Sequence, residues 1–306
     1  LSHIALKADQ SPPFWYRDSV TLQNLLEGAW EKVSPEFVQD LLAAFKANDQ
    51  AKIKKLIKTL PDLGSQMAEE LGKAPDAVFS KLLSKAETFW TLHAKDIGIE
   101  KPVTIREKYR ELMAKEQARQ IKDFVEKYPE RILEPEIVKQ LEYLQATKAP
   151  DALTITSITD RLEMLEKSEE YWSRLSDVQV ARAWHADGVR YANENGIKTG
   201  IVTGPGPDDP DTCPVCAQLF GVEIEIDAMM GKVDSDLNIE DPDEYAAAWS
   251  FPRLLDVDNI DKKELGALMI ENGWFPPFHP HCRHAIVWLY MKDQGSDEET
   301  QTDEIA

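Results

Sequence analysis

A chain of 306 residues with 35 Lys and Arg against 55 Asp and Glu carries a formal charge of −20, and at roughly 150 residues per domain its length suits about two domains. Hydrophobic residues make up 42% of it, with 8 Trp, 8 Tyr and 10 Phe, enough to fill real cores, which excludes disorder of the whole chain. The acidic surplus argues against strong nonspecific nucleic-acid binding; the longest apolar runs, such as Ala285–Met291, fall far short of the ~20 residues of a bilayer span, and no basic-then-apolar signal peptide opens the chain, so neither a membrane location nor Sec export is expected.

In chain order, residues 1–16 read as an extended arm, since Ser11-Pro-Pro-Phe-Trp-Tyr16 combines two helix-breaking prolines with three aromatics that favour burial. Phe14, Trp15 and Tyr16 are its expected anchor on a partner. Ser34-Pro35-Glu36 places an N-cap, a first-turn proline and an early acid ahead of Phe37, Val38, Leu41, Leu42 and Phe45 at helical spacing. The same periodicity continues through Ile53, Leu56, Ile57 and Leu60, then Val78, Leu82, Leu83 and Phe89, then Ile105, Tyr109, Leu112 and Met113 on to Ile121, Phe124 and Val125. Residues 17–150 are therefore expected to form a helical domain. Pro129, Pro135 and Pro150 punctuate the next stretch, and the boundary is placed at Lys148-Ala-Pro-Asp151, because a residue before proline is pushed out of the helical region.

A second helical region is expected from Ser157. Its clearest helix, 177–194, is bracketed by a capping box at Ser176-Asp-Val-Gln179 and by Asn195-Gly196. Beyond Gly196, residues 197–203 read as a short strand, 204–211 as an irregular loop, and Val222, Ile224 and Ile226 alternate with Glu223 and Glu225 as in a half-buried strand. Two short helices are expected after it, one opening at Asp241-Pro-Asp-Glu244 and one over about 262–271 ahead of Asn272-Gly273. Residues 293–306 hold six acids and no base and read as a solvated tail.

The chain has three cysteines, Cys213, Cys216 and Cys282, an odd number that suits a disulfide framework poorly. Cys213-Pro-Val-Cys216 has the two-residue gap that lets both thiolates of a tight turn face one metal ion, and the same gap separates His279 from Cys282. Together they make a Cys3His set suited to one structural zinc ion, which would pin the strand region to a late segment of the chain. His281 and His284 compete with His279 for the fourth position, and reduced core thiols or a Cys213–Cys216 redox pair are the alternatives. A thioredoxin-like pair would sit at a helix start after a strand, whereas a proline-rich loop precedes Cys213 here.

The segments Cys-Pro-Val-Cys-Ala-Gln-Leu-Phe-Gly (213–221) and Pro-Pro-Phe-His-Pro-His-Cys-Arg-His (276–284) resemble, in that order, the paired end motifs of the phage minor head proteins, the Mu F-like head morphogenesis family. Arg182, Gly196-Ile197 and Gly221 fall in matching places, and the likeness covers about residues 174–291. The family's closing cysteine is His284 here, its strand tryptophan is absent from 197–203, and the insertion between the motifs is longer. The resemblance implies a low-copy virion or procapsid component assembled in the host cytoplasm, seated at the portal vertex or capsid interior. It would assist head assembly or DNA delivery, with the portal protein and the major capsid or scaffolding protein as partners.

Enzymatic alternatives are a zinc-dependent nuclease using His281, His284 and an acid, or a deaminase-like site in which His185-Ala-Asp187 and Cys213-x-x-Cys216 imitate the zinc deaminase pattern. Asp187 is one methylene short of the required Glu, Thr212 stands where proline is expected, and both His185 and Asp187 read as part of a partly exposed helix face. Lys52, Lys54, Lys55 and Lys58 read as a solvated face and the eight tryptophans as core or interface anchors. The expectation is a non-enzymatic, mainly α protein, with a helical N-terminal region followed by a small α+β zinc-knuckle module over 151–292.

Overall fold

The computed structural model describes residues 14–289 except positions 106, 148–149, 167–168, 238, 240, 242–243, 245–260, 275 and 280–281, and except the side chains at 163–166, 169 and 236–237. The first thirteen residues of the arm, the helix opening at Asp241, Trp249, His281 and the acidic tail thus lie outside the described residues. The chain is mostly helical with a small three-stranded sheet toward its C-terminus. No helix among the described residues is long and apolar enough to cross a membrane.

Six helices come first: α1 (Tyr16–Val33), α2 (Pro35–Lys46), α3 (Gln50–Ile57), α4 (Leu60–Leu71), α5 (Ala74–Asp96) and α6 (Glu107–Tyr128). Prolines open α2, α4 and α5 in their first turns, where the missing N–H would have had no helical partner anyway. Asp49 caps α3 by accepting from the Lys52 N–H at 2.9 Å, while Ser34, the cap expected for α2, uses no side-chain bond. Its backbone stays helical and its N–H bonds the Trp30 carbonyl, so α1 runs almost directly into α2 and leaves the hydroxyl no capping geometry. Lys54, Lys55 and Lys58 are exposed and Lys52 bonds Asp40 at 2.8 Å, as a solvated face should.

Pro129 does not break the chain as expected. A single π-helical turn, Pro129–Leu133, joins α6 to α7 (Glu134–Ala146), with the Glu134 N–H reaching back to the Pro129 carbonyl; the wider turn absorbs a residue that cannot donate. Then come α8 (Ala152–Glu166) and α9 (Glu169–Glu194). Helix α9 begins well before the capping box at Ser176, whose hydroxyl is buried without a hydrogen-bond partner. Trp172, buried against Tyr128 with ring centroids 4.5 Å apart, draws the helix upstream, and burial outweighs the local capping signal. The C-terminal end falls where expected, at Gly196 with φ +71°, a left-handed conformation that glycine adopts without a Cβ clash.

Every residue from 176 to 189 is buried, because α9 is the central helix, packed by α1, α5 and α6. A continuous apolar core therefore runs across the boundary read at residue 150. The anchor expected in the arm also needs correcting. Residues 14–15 form a turn, Tyr16 begins α1, and Trp15 is only 3% exposed, packed edge-on to His185 and beside Trp184 at 5.1 and 6.3 Å. Phe14 and Tyr16 stay 43% and 47% exposed. Trp15→Ala is accordingly expected to destabilise the chain by about 3–5 kcal/mol, whereas Tyr16→Ala should shift it by about 0.5 kcal/mol or less; chemical denaturation measures both.

The C-terminal part adds β1 (Thr199–Thr203), α10 (Pro214–Leu219), β2 (Glu223–Glu225), α11 (Ile226–Leu237), α12 (Lys262–Glu271) and β3 (Ala285–Leu289). The sheet order is β2-β1-β3, both pairs antiparallel, with Gly200 opposite Ile224 on one side and Trp288 on the other. Alternation in β2 is as read, Ile224 buried between exposed Glu223 and Glu225, but Ile226 already starts α11. Asp261 caps α12 through the Lys263 and Glu264 N–H groups. Trp288 of β3 stacks on Trp90 at 4.5 Å and on Tyr191 at 5.5 Å, which fastens the sheet to α5 and α9.

Candidate metal centre

Cys213 lies at the end of the loop that leaves β1, in extended conformation at φ −68°, ψ 155°, and is the N-cap of α10. Pro214 starts the helix at N1, and the Cys213 Sγ accepts the Cys216 N–H at 3.4 Å. One helical turn thus holds both sulfurs on one side. The pair does sit at a helix start, contrary to the loop-only setting read from the sequence, because Pro214 supplies a preset helical φ. At the far end of α10 the Lys262 Nζ donates to the Gln218 and Phe220 carbonyls, each at 2.8 Å, so the start of α12 clamps the C-terminal end of the knuckle helix, where a cation is favoured.

The second half of the centre comes from the segment that leads into β3. Phe278 is buried, the Cys282 N–H closes a turn on the His279 carbonyl at 3.1 Å, and Cys282 and His284 are both buried. Arg283 pairs with Asp209 at 3.5 Å, which holds the loop before Cys213 against this segment. The two halves, 63 positions apart, meet where Cys216 Sγ lies 3.0 Å from His279 Nε2 and 3.8 Å from Cys282 Sγ.

Five side chains, Cys213, Cys216, Cys282, His279 and His284, lie close enough together to bind a metal ion. They form two triads, Cys213/Cys216/His279 and Cys216/Cys282/His284, the donor atoms of each within 4.8 Å of one another. Cys216 belongs to both. With Zn–S bonds of about 2.3 Å, two thiolates on one tetrahedral ion stand about 3.8 Å apart, so the Cys216–Cys282 distance of 3.8 Å is that of two ligands sharing an ion. Soft thiolates with imidazole also suit zinc in chemical type. The Cys216–Cys282 contact, in which either sulfur can donate, pushes the Cys216 thiol up together with its burial, and holds Cys282 below the usual thiol value against its own burial. No disulfide joins the three cysteines.

Each residue in the Cys3His set is therefore brought to one place, and His284, legible in the sequence only as a competitor, joins them. His185 and Asp187 are not among the side chains that meet there. Both are fully enclosed in α9 rather than on a partly exposed face: His185 lies against Trp15, and the Asp187 carboxyl lies in the field of Glu87, Arg110 and Arg190. The deaminase-like pairing thus has its proton-shuttling acid packed in the helical core. No family model matches the chain, and neither a curated protein nor a solved structure is significantly similar to it.

Proposed function

We propose that the chain is a phage minor head protein, a low-copy component of the virion or procapsid that sits near the portal vertex and assists head assembly or DNA delivery. The observation that carries this is the meeting of the two end motifs, Cys213-Pro-Val-Cys216 and His279-Pro-His-Cys282, behind a helix and beside a small sheet, in the order the minor head proteins use. The metal is zinc, one ion, structural, held by Cys213, Cys216, His279 and Cys282. Four protein ligands would close the coordination shell and leave no position for an activated water, so the role is architectural and not enzymatic. When bound, the ion supplies a cross-link between α10 and the approach to β3. The mainly helical half, with Phe14 and Tyr16 exposed beside α1, supplies contacts to the portal protein and to the major capsid or scaffolding protein.

Native mass spectrometry of the protein purified gently from producing cells tests metal and partner together. The expected result is one zinc per chain, retained until unfolding and removed by a chelator, in a complex with an oligomeric head protein. A monomer that stays folded without metal and with three titratable thiols would overturn both the zinc and the family reading.

A further inference from the structure

We propose that His284 is a second imidazole donor of the metal centre, able to take the fourth position beside Cys213, Cys216 and Cys282 when His279 is withdrawn. The inference rests on the metal-binding reading and adds to it a way of keeping the ion. A tetrahedral ion with metal–sulfur and metal–nitrogen bonds of about 2.3 and 2.0 Å sets a thiolate and an imidazole nitrogen about 3.5 Å apart. His279 approaches that spacing from below, 3.0 Å from Cys216, and His284 from above, with Nδ1 3.9 Å from Cys282 Sγ. The two imidazoles are comparably placed, yet they fall in different triads that share only Cys216. With all three thiolates bound, a four-coordinate ion takes one of the two imidazoles at a time.

Their surroundings give the exchange a direction. His279 is half-buried on the turn that closes onto Cys282, so a partner or solvent can reach it. His284 is 2% exposed and fixed by its neighbours: a Cβ on Gly204 would stand 2.8 Å from its ring, and the Phe278 ring centroid is 6.3 Å away. An imidazole whose Nδ1 faces a thiolate sulfur and which is shut off from solvent is suited to hold an ion against loss. Withdrawal of His279 then frees one side chain for a partner while three thiolates and His284 retain the metal.

The test uses the full chain loaded with zinc, as His279→Ala, His284→Gln and the double variant, with circular dichroism to confirm the fold and native mass spectrometry to count ions under graded chelator. The expected result is one ion in the wild type and in each single variant, with chelator resistance within about tenfold of the wild type, and loss of the ion in the double variant at ~100-fold lower chelator. Cobalt substitution adds a second readout: His279→Ala should keep a tetrahedral visible spectrum that the double variant lacks. Release of the ion by His279→Ala alone, release by His284→Gln alone, or retention by the double variant would each overturn the proposal. A wild type that binds no ion would instead remove the metal-binding reading itself.

Discussion

Cys216→Ser should release the ion and lower the thermal midpoint by more than any other single change at the centre. Cys216 is the one residue common to both triads and is buried at the contact of α10 with the approach to β3, whereas Cys213 and Cys282 each serve one triad. Metal binding to structural sites of this type is worth about 10–16 kcal/mol in isolated knuckles, and binding that occurs only in the folded state adds directly to folding stability. The variant should therefore melt at the temperature of the chelated wild type and show no further response to chelator. Melting curves of both proteins, with and without chelator, provide the check; a chelator-sensitive Cys216→Ser, or an insensitive wild type, would count against a structural ion.

The damage should also be uneven along the chain. Helices α1 to α7 bury their own apolar stripes, and α9 is packed by α1 and α5 independently of the knuckle. The sheet has fewer attachments: β1 pairs with the short β2 on one side and β3 on the other, β2 packs against α12, and Trp288 on Trp90 and Tyr191 ties β3 to α5 and α9. Loss of the ion thus removes the tie between α10 and β3 first, and helical signal should outlast the loss of Trp288 packing.

How much of this is legible in the sequence depends on the range of the interactions. Alternation in β2, the span of α12 ahead of Asn272-Gly273 and the glycine stop of α9 are set by neighbours a few residues apart, and each is visible in the sequence. The paired Cys-x-x-Cys and His-x-x-Cys spacings are local too, and chemistry rather than distance says that they must meet. Ser176, Trp15 and Asp187 misled because their fates depend on helices far along the chain. Ser176 carries a good capping signal, yet it is enclosed by elements that make α9 buried on every side. Helix α10 escaped notice because six residues give little periodicity and because it is fixed by Pro214 and by Lys262, 44 positions from the Gln218 carbonyl it binds; α11 escaped because the alternation of β2 runs straight into its first residue, Ile226.

The same enclosure produces a pH response that no local pattern predicts. Asp187 is 0% exposed and neither carboxyl oxygen has a hydrogen-bond partner. Burial, with the nearby Glu87 charge, pushes its carboxyl up to about 8 despite Arg110 and Arg190. Burial alone drives its neighbour His185 down to about 3. A raised carboxyl means that the folded chain holds a proton the unfolded chain has lost, so stability falls as pH rises from about 4 to about 8; a lowered imidazole means the reverse, and stability rises with pH from about 3 to about 6.5. The two slopes oppose each other between about pH 4 and 6.5 and cancel. Above pH 6.5 only Asp187 still titrates, at about 1.4 kcal/mol per pH unit, so its share of stability should drop by about 2 kcal/mol between pH 6.5 and 8. Asp187→Asn cannot ionise and should remove that drop, its advantage over the wild type growing with pH across this window. Chemical denaturation of both proteins, saturated with metal at each pH, isolates the effect as a difference of differences. A constant gap from pH 6.5 to 8 would show that Asp187 is already ionised in the folded chain, with Arg110 and Arg190 outweighing its burial.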